Sequence, residues 1–371
     1  MSRHYHIITC DDENALNNFV NIDRVGIHPV LTNEPKRKEG ETEDQRIKRW
    51  VSNTVQMNWD ILADIARVKE GDYVLLHAKG IIQGVFEVVS NPIIEQRFVQ
   101  YFNGPNIDTG TWRSNWNVIQ NIIRQNQYIW WIPIQPVNNL FFEKMDMDVV
   151  FRRIAEGKIT SIPQRLIYED KKKTVKGVTK TDFEKIVDLF YNYSSHATPS
   201  SQTSSPFQNT QPIDFDYLTN DEYEKNLEAI IVHRVRSNTM RIIGLNFSHT
   251  NILNTVPLGY LKMADVLTWS ERNKIINPWI WELMDKANSN VNNYIILENE
   301  IKNLNIRASY ISKLLWNGYK ITGAIVAKKF SNDVLTSFNN IITPVGSLEE
   351  IILISYKGTG RNVNFKLIAR K

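Results

Sequence analysis

Between Tyr193 and Pro212 the chain reads YSSHATPSSQTSSPFQNTQP, and no other stretch constrains the fold as much. It is rich in Ser, Thr, Gln and Pro and carries no Asp, Glu, Lys or Arg. Such text cannot bury enough apolar surface to offset the entropy of ordering it, so it reads as a flexible linker. Two domains follow from it: 1–192 before the linker, 193–213 as the linker and 214–371 after it. A chain of 371 residues with 42% apolar residues has room for two cores. No run of about 18 apolar residues occurs, so no membrane-spanning helix is expected. Met1–Cys10 reads as a strand rather than a signal peptide. Cys10 is the single cysteine, which excludes intrachain disulfides and a cysteine zinc site and fits a reducing, cytoplasmic setting. A formal charge of +4 is compatible with a polyanionic partner.

The periodicities predict an α+β protein. In the first domain HYHIIT is a strand and Thr32–Gln45 a mobile polar loop. Asn58–Val68 is a helix, and Tyr73–Ala78 with Ile81–Val89 form a hairpin around Lys79-Gly80. Tyr128–Pro136 is a strand, and Asp148–Ala155 and Lys180–Tyr191 are helices, the latter capped by Thr179. In the second domain Asn220–Val235 is a helix, followed by strands ending in Lys262–Thr268. Pro278–Lys286 reads as helix, Asn293–Lys302 as strand and Arg307–Trp316 as helix. Lys320–Ala327 is a strand, Asp333–Ile341 a helix, and Glu350–Tyr356 and Val363–Ile368 strands. The order implies a mixed sheet with helices on its faces.

Two fragments of the second domain suggest chemistry. Asp265 stands among apolar residues in a strand. In Ile295-Ile296-Leu297-Glu298-Asn299-Glu300-Ile301-Lys302, a strand would point Glu298, Glu300 and Lys302 to one face. Carboxylates on an apolar strand are costly unless a cation compensates, and Mg²⁺ or Mn²⁺ does so while keeping waters that can attack a phosphodiester. The plain alternative is a solvated edge strand with chance charges. Other chemistries lack support. The seven histidines make no metal-binding spacing, and His4 and His6 on one strand face read as structural. There is no Gly-Lys-Ser/Thr phosphate loop, no Gly-x-Gly-x-x-Gly and no nucleophilic Cys or Ser arrangement.

An Asp followed by Glu-x-Lys on a later strand resembles the PD-(D/E)XK nuclease superfamily over most of the second domain. Its RecB-like and mismatch-endonuclease branches carry a Glu on an early helix, matched here by Glu224-Lys225-Asn226-Leu227-Glu228. The resemblance implies that Asp265 and Glu300 hold the metal, that Lys302 assists the nucleophile and that Glu224 or Glu228 completes the site. Glu298 competes with Glu300 for the ligand role. The chain departs from the pattern in having Ala264 before the Asp, a long gap that holds Trp279–Trp281, and no Gln-containing helix motif after Lys302.

Six of the ten tryptophans, Trp50, Trp59, Trp112, Trp116, Trp130 and Trp131, fall between residues 50 and 131, within the first domain. Large aromatic faces suit stacking on exposed bases, and core packing is their plain alternative. The order of Ile47-Lys48-Arg49-Trp50-Val51-Ser52-Asn53-Thr54, a helix, Gly71-Asp72-Tyr73-Val74 and Gly84-Val85-Phe86-Glu87-Val88-Val89-Ser90 resembles the PUA-like superfamily, in particular its YTH and EVE branches. Trp130-Trp131-Ile132-Pro133-Ile134 and Ser161-Ile162-Pro163-Gln164-Arg165 extend the resemblance. It implies a β-barrel-type domain with flanking helices that flips a base, often a methylated one, into an aromatic cage. Trp50 would be one wall, and Trp59, Trp112 or Trp116 the second. Ser52, Asn53 and Thr54 would meet a base edge, and Lys48, Arg49, Arg113 and Arg165 the phosphates.

Together the two halves suggest a modification-dependent restriction endonuclease acting with Mg²⁺ on double-stranded DNA, as a homodimer at least on DNA. Two other readings stay open: a type II-like enzyme that reads an unmodified sequence, and a non-catalytic nucleic-acid (RNA) reader.

Overall fold

The computed structural model describes residues 3–371 apart from 79, 103–108, 159–174, 194–208, 217–223, 260–261, 273–274, 285–288, 317, 342–345 and 359. The chain divides into two compact units, Arg3–Phe215 and Asp216–Lys371.

The N-terminal unit runs β1 (Tyr5–Thr9), α1 (Glu13–Asn21), β2 (Arg24–Ile27), α2 (Glu43–Ala66), β3 (Tyr73–Ala78), β4 (Ile81–Val88), β5 (Ile93–Glu95), α3 (Val99–Phe102), α4 (Thr109–Arg124), β6 (Trp130–Pro136), β7 (Phe142–Asp146), α5 (Met147–Ala155), β8 (Val175–Val178), α6 (Lys180–Tyr193) and β9 (Thr210–Pro212). Its strands pair in the order β8-β1-β3-β4-β6-β5-β9, with β2 on β6 and β7 on β4. The sheet curls because strands change partner along their length. The first half of β4 pairs with β7 and its end with β6, while β6 begins against β5 and β2. β8 and β9 do not pair with each other among the described residues, so the expected barrel is a curled, open sheet.

The long helix α2 starts at a capping box. Thr42 Oγ1 accepts from Gln45 N at 3.3 Å, and Gln45 Oε1 accepts from Thr42 N at 2.8 Å. From there Trp50, Val55, Trp59, Leu62 and Ala66 recur at helical spacing and are buried. The helix expected at Asn58 therefore begins fifteen residues earlier, at Glu43, and it absorbs the end of the polar loop. The expected linker is shortened at its C-terminal side, where Thr210–Pro212 pairs with β5 and Ile213 and Phe215 are buried. The remainder of that stretch from 194 lies outside the described residues.

The C-terminal unit runs α7 (Glu224–Arg236), β10 (Ile242–Ile243), β11 (Asn251–Gly259), β12 (Lys262–Arg272), β13 (Ile275–Leu283), β14 (Asn290–Val291), α8 (Tyr294–Leu314), β15 (Ile321–Ala327), β16 (Lys329–Phe330), α9 (Asn332–Ile341), β17 (Leu348–Lys357) and β18 (Asn364–Arg370). Its main sheet has the order β10-β18-β17-β15-β13-β12-β11, parallel at β13–β15–β17 and antiparallel at β11–β12–β13 and β17–β18. This is the expected mixed sheet.

Two elements differ from expectation, and both bear on the site. Pro278–Lys286 reads as helix because proline suits a first helical turn, yet Ile275–Leu283 is an inner strand that pairs with β12 and β15. Asn293–Lys302 reads as strand because Tyr-Ile-Ile-Leu favours one. It is the start of α8 instead. The deciding pattern is longer: Leu297, Ile301, Leu304, Ala308 and Ile311 are all buried at three- and four-residue intervals. Asn293 caps that helix by accepting from Ile295 N at 2.9 Å.

Candidate functional site

Because Glu298, Glu300 and Lys302 lie on a helix, Glu300 is turned away from the face that Glu298 and Lys302 share. Lys302 is turned outward and pairs with Glu298 at 2.9 Å across one helical turn. Its side chain is 64% exposed, so the assignment of Lys302 to the nucleophile is corrected: its amine serves a solvated surface pair. Glu300 keeps electrostatic contact with Asp265, but as a helix residue, and its nearest partner is Asn303 at 3.4 Å.

The strands supply a different acid. Val266 pairs with Trp281, so one step further along the antiparallel register Asp265 faces Glu282. Leu267 and Ile280 share a core with Leu297, Ile301 and Leu304 of α8, so by alternation Asp265 and Glu282 point to the α8 side. There Arg307 of α8 pairs with Glu282. Asp265 Oδ2 accepts from the Leu283 backbone N–H at 2.9 Å, which ties the two strands together at the acids.

The first turn of α7 brings the remaining groups. Glu228 is fully buried and accepts from Lys225 Nζ at 2.6 Å and from Asn254 Nδ2 at 2.7 Å. Lys225 also reaches Glu224 at 3.5 Å. Burial, then the nearby Asp265 charge, pushes the Glu224 carboxyl up to about 7. Burial likewise raises Asp265, and Lys225, the Leu283 N–H and Arg307 oppose the rise. Glu224 and Asp265 thus interact as an acid pair with Lys225 and Arg307 as nearby cations, and Glu282 joins them through Arg307. Of the expected site residues the fold brings together Asp265, Glu224, Glu228 and, through space, Glu300. Among the described residues no three acidic or histidine side chains already stand at the spacing of a metal cage.

In the N-terminal unit the proposed cage residues lie on α2, not at the end of a strand. Trp50 is buried, its Nε1–H donates to Thr32 O at 2.7 Å, and its ring meets Trp116 edge-on at 5.2 Å. Trp59 is wholly enclosed. Thr54 is buried and bonded to Thr32 Oγ1 at 2.8 Å. Trp50, Trp59, Trp116 and Thr54 are therefore core residues that offer no open wall, and Trp50 and Thr54 hold the segment after β2 onto α2. Asn53 and Lys48 are exposed, and Ser52 is half-buried. Arg49 is engaged by Glu41 through two bonds of 2.9 and 2.7 Å, so it is not a free phosphate contact. The Trp112 and Arg113 side chains and all of Arg165 lie outside the described residues.

No family model and no curated protein matches the chain. Among solved structures, human THYN1 in complex with DNA containing 5-methylcytosine aligns with 50% of this chain and 96% of its own, at 10% identity and a TM-score of 0.25. No residue of this chain takes a role from so loose a likeness.

Lys225, Glu282 and Arg307 are the site residues that sequence reasoning missed. A signal for Glu282 was present: Pro278-Trp279-Ile280-Trp281-Glu282-Leu283 is a short, bulky apolar run of strand length that carries one acid. Lys225 stood inside the quoted Glu224–Glu228 motif, but only the folded helix shows which groups its amine meets. Arg307 had no local signal. The His4 and His6 pair is structural, as expected: His6 Nε2 bonds Asp72 Oδ2 at 2.9 Å inside the core. Among the described residues no helix is long and apolar enough to cross a membrane.

Proposed function

We propose that the chain is a divalent-metal-dependent endonuclease that reads a modified base in double-stranded DNA and hydrolyses a phosphodiester nearby. The observation that carries the cutting half is the proximity of Glu224 and Asp265 to each other and to the Lys225 amine, on a mixed sheet flanked by α7 and α8, with Glu282 opposite Asp265 in the strand register. The donors fit the metal in kind. All are carboxylate oxygens, which Mg²⁺ and Mn²⁺ prefer, and the mutual repulsion of Glu224 and Asp265 favours a cation between them. Asp265 and Glu224 would hold the ion, with Glu282 or Glu300 as a further donor. A bound ion of this kind lowers the pKa of its water and neutralises phosphate charge. Lys225, aimed by Glu228 and Asn254, replaces Lys302 as the amine that orients the attacking water or meets the scissile phosphate.

The reading half rests on the order of segments that resembles PUA-like domains. Base flipping is feasible because unstacking costs only a few kcal/mol, roughly what stacking on an aromatic returns. With Trp50, Trp59 and Trp116 packed into the core, exposed Asn53 and the Trp112 region are the remaining candidates for base contact. One site cuts one strand, so a double-strand break requires a homodimer on DNA or successive nicks.

Digestion of DNAs carrying plain, 5-methyl-, 5-hydroxymethyl- and N-methylated bases, with Mg²⁺ or Mn²⁺, tests both halves. Cleavage confined to a modified DNA is expected. Asp265→Asn and Lys225→Met should each lower it about 100-fold or more while DNA binding survives, the scale of a lost general-acid/base or metal-positioning group. Lys302→Ala should leave the rate within about twofold, because a solvated helix pair contributes little. Failure of every DNA to be cut refutes the nuclease reading. Loss of activity in Lys302→Ala with full activity in Lys225→Met refutes the reassigned amine.

A further inference from the structure

The cations are divided unevenly along the chain. Residues 216–371 hold 19 Lys and Arg against 14 Asp and Glu, whereas residues 1–215 hold 25 against 26. After Glu350 there are five Lys and Arg and no acid, and residues 229–264 contain no acid either. The fold sets these two acid-free stretches side by side, because β10 pairs with β18 and β18 with β17. In that corner Ile242, Phe365 and Tyr356 stand in one row and are buried. Alternation turns their neighbours to the opposite face of the sheet. There Ile243, which pairs with Lys366, is 59% exposed, and Lys366, Lys357 and Arg241 are exposed with it. Arg241 Nη1 donates to the carbonyls of Met240 and Asn238 at 2.8 and 3.3 Å. Among the described residues no carboxylate pairs with Arg241, Lys357 or Lys366, so their charges serve no ion pair of the fold.

The register also relates this corner to the acids. Glu282 is level with Ile325, and Ile325 with Leu353. Lys357 lies four residues beyond Leu353 on the same face, at the carboxyl end of β17, and exposed Lys329 follows the end of β15. With strands about 4.8 Å apart and about 3.3 Å per residue, roughly 15 Å separate Lys357 from Glu282. Open sheets receive their ligands at the carboxyl ends of parallel strands. We propose that Arg241, Lys357 and Lys366 form a contact surface for the phosphate backbone of double-stranded DNA. This rests on the reading of the chain as a DNA-cutting protein and names the surface on which the cutting unit holds the duplex. At about 3.4 Å of axis per phosphate along one strand, that separation spans four or five phosphates from the acids. Such contacts add affinity by releasing counterions and carry no base information, so they hold the duplex without choosing the sequence.

Fluorescence anisotropy of the full chain with a plain DNA duplex in EDTA, repeated over a range of KCl concentrations, reads this surface without metal or cleavage. Each lost phosphate contact removes about 0.9 from the slope of log affinity against log salt. Changing Arg241, Lys357 and Lys366 together to Gln should therefore make the slope shallower by about 2–3 and weaken binding at least about tenfold at about 0.1 M salt. Plain and 5-methylcytosine DNA should lose affinity by the same factor within about twofold. Lys302→Gln with Lys313→Gln and Lys320→Gln removes the same charge from α8 and the turn before β15, and should move the slope by less than about 0.5. Should the triple variant not fold, Lys357→Gln alone should lower the slope by about 0.9 and Lys357→Arg should keep it. A parental slope in the neutralised corner, or an equal fall in the α8 control, overturns the surface and leaves the nuclease reading to its cleavage test. A parent that binds no duplex even at low salt removes both.

Discussion

Replacing Glu224 with Gln should make the C-terminal unit more stable at alkaline pH, and the size of the gain follows from the site. Glu224 is mostly buried, with its side chain 22% exposed, and lies near Asp265. Burial and that neighbour move its carboxyl from an ordinary 4.5 to about 7. A raised acid binds its proton more tightly in the folded chain than in the unfolded one. Its contribution is therefore fully present below about 4.5 and is lost as pH rises through about 7. A displacement of that size corresponds to a ceiling of about 3 kcal/mol. Because Glu224 and Asp265 titrate as a pair and water reaches part of the side chain, about 1–2 kcal/mol is expected. Urea unfolding followed by fluorescence, with separate transitions fitted for the two units, measures it. The variant should gain about 1–2 kcal/mol on the parent between pH 5 and pH 8.5, confined to one transition. Saturating Mg²⁺ should narrow the gap by stabilising the parent alone. A difference between parent and variant that does not change with pH would sink the claim that these carboxyls repel one another in a buried site.

Two further predictions concern the N-terminal unit. Trp50→Ala removes a buried indole and its bond to Thr32 O, so calorimetry should report a loss of about 3–5 kcal/mol, with affinity for plain and modified DNA falling together; a variant of unchanged stability that has lost only discrimination would return Trp50 to the cage. Asp72 accepts from the backbone N–H groups of His4 and Lys69, each at 2.9 Å, and pairs with buried His6. Asp72→Asn should therefore cost about 2–4 kcal/mol in urea unfolding, and a loss below about 0.5 kcal/mol would show that this buried network does not hold β1 to β3.

Where the sequence pattern was long, it carried the fold. The strands at Tyr73–Ala78, Ile81–Val88 and Ile321–Ala327 and the helices α6 and α9 are where alternation and helical spacing put them. The two misread elements share a cause. Tyr294-Ile295-Ile296-Leu297 was weighed over four residues of strand-favouring side chains, although helical spacing continues for seventeen more to Leu314. Pro278 was weighed as a helix start, although Trp279 to Leu283 is a short run of bulky apolar residues broken only by Glu282, which suits a buried strand. Local preference amounts to only tenths of a kcal/mol per residue, and burial of a continuous apolar face outweighs it. α2 shows the same effect, since the Trp50–Thr54 segment is helical because Trp50, Val51, Thr54 and Val55 face the core. Asp265, Glu224 and Glu228 were legible because each stands in a short motif. Glu282 and Arg307 were not, because their partnership is made by packing α8 onto β13.

The same reasoning explains why the amine proposed for the site comes from a helix. A lysine on the strand beside an acid can be specified by two-residue spacing, but Glu282 is followed by Leu283, where β13 ends, and then by Met284. The chain instead places Lys225 one turn from Glu228 on α7, and Glu228 is wholly removed from water. An ionised carboxylate in that position is expensive, and a hydrophobic residue of similar size would pack there at lower cost. What Glu228 adds, together with Asn254 on β11, is a fixed heading for the Lys225 amine toward Glu224 and Asp265. Glu228→Gln should therefore separate position from charge: it keeps the volume and the Asn254 contact but loosens Lys225. If Lys225 is the working amine, the variant's rate falls at least about tenfold with substrate affinity little changed, and its pH–rate profile shifts because the lysine has lost a carboxylate partner. An unaltered profile and rate in a folded Glu228→Gln protein would mean that the buried Lys225–Glu228 pair only braces α7 against β11, and that the site's amine must be sought elsewhere.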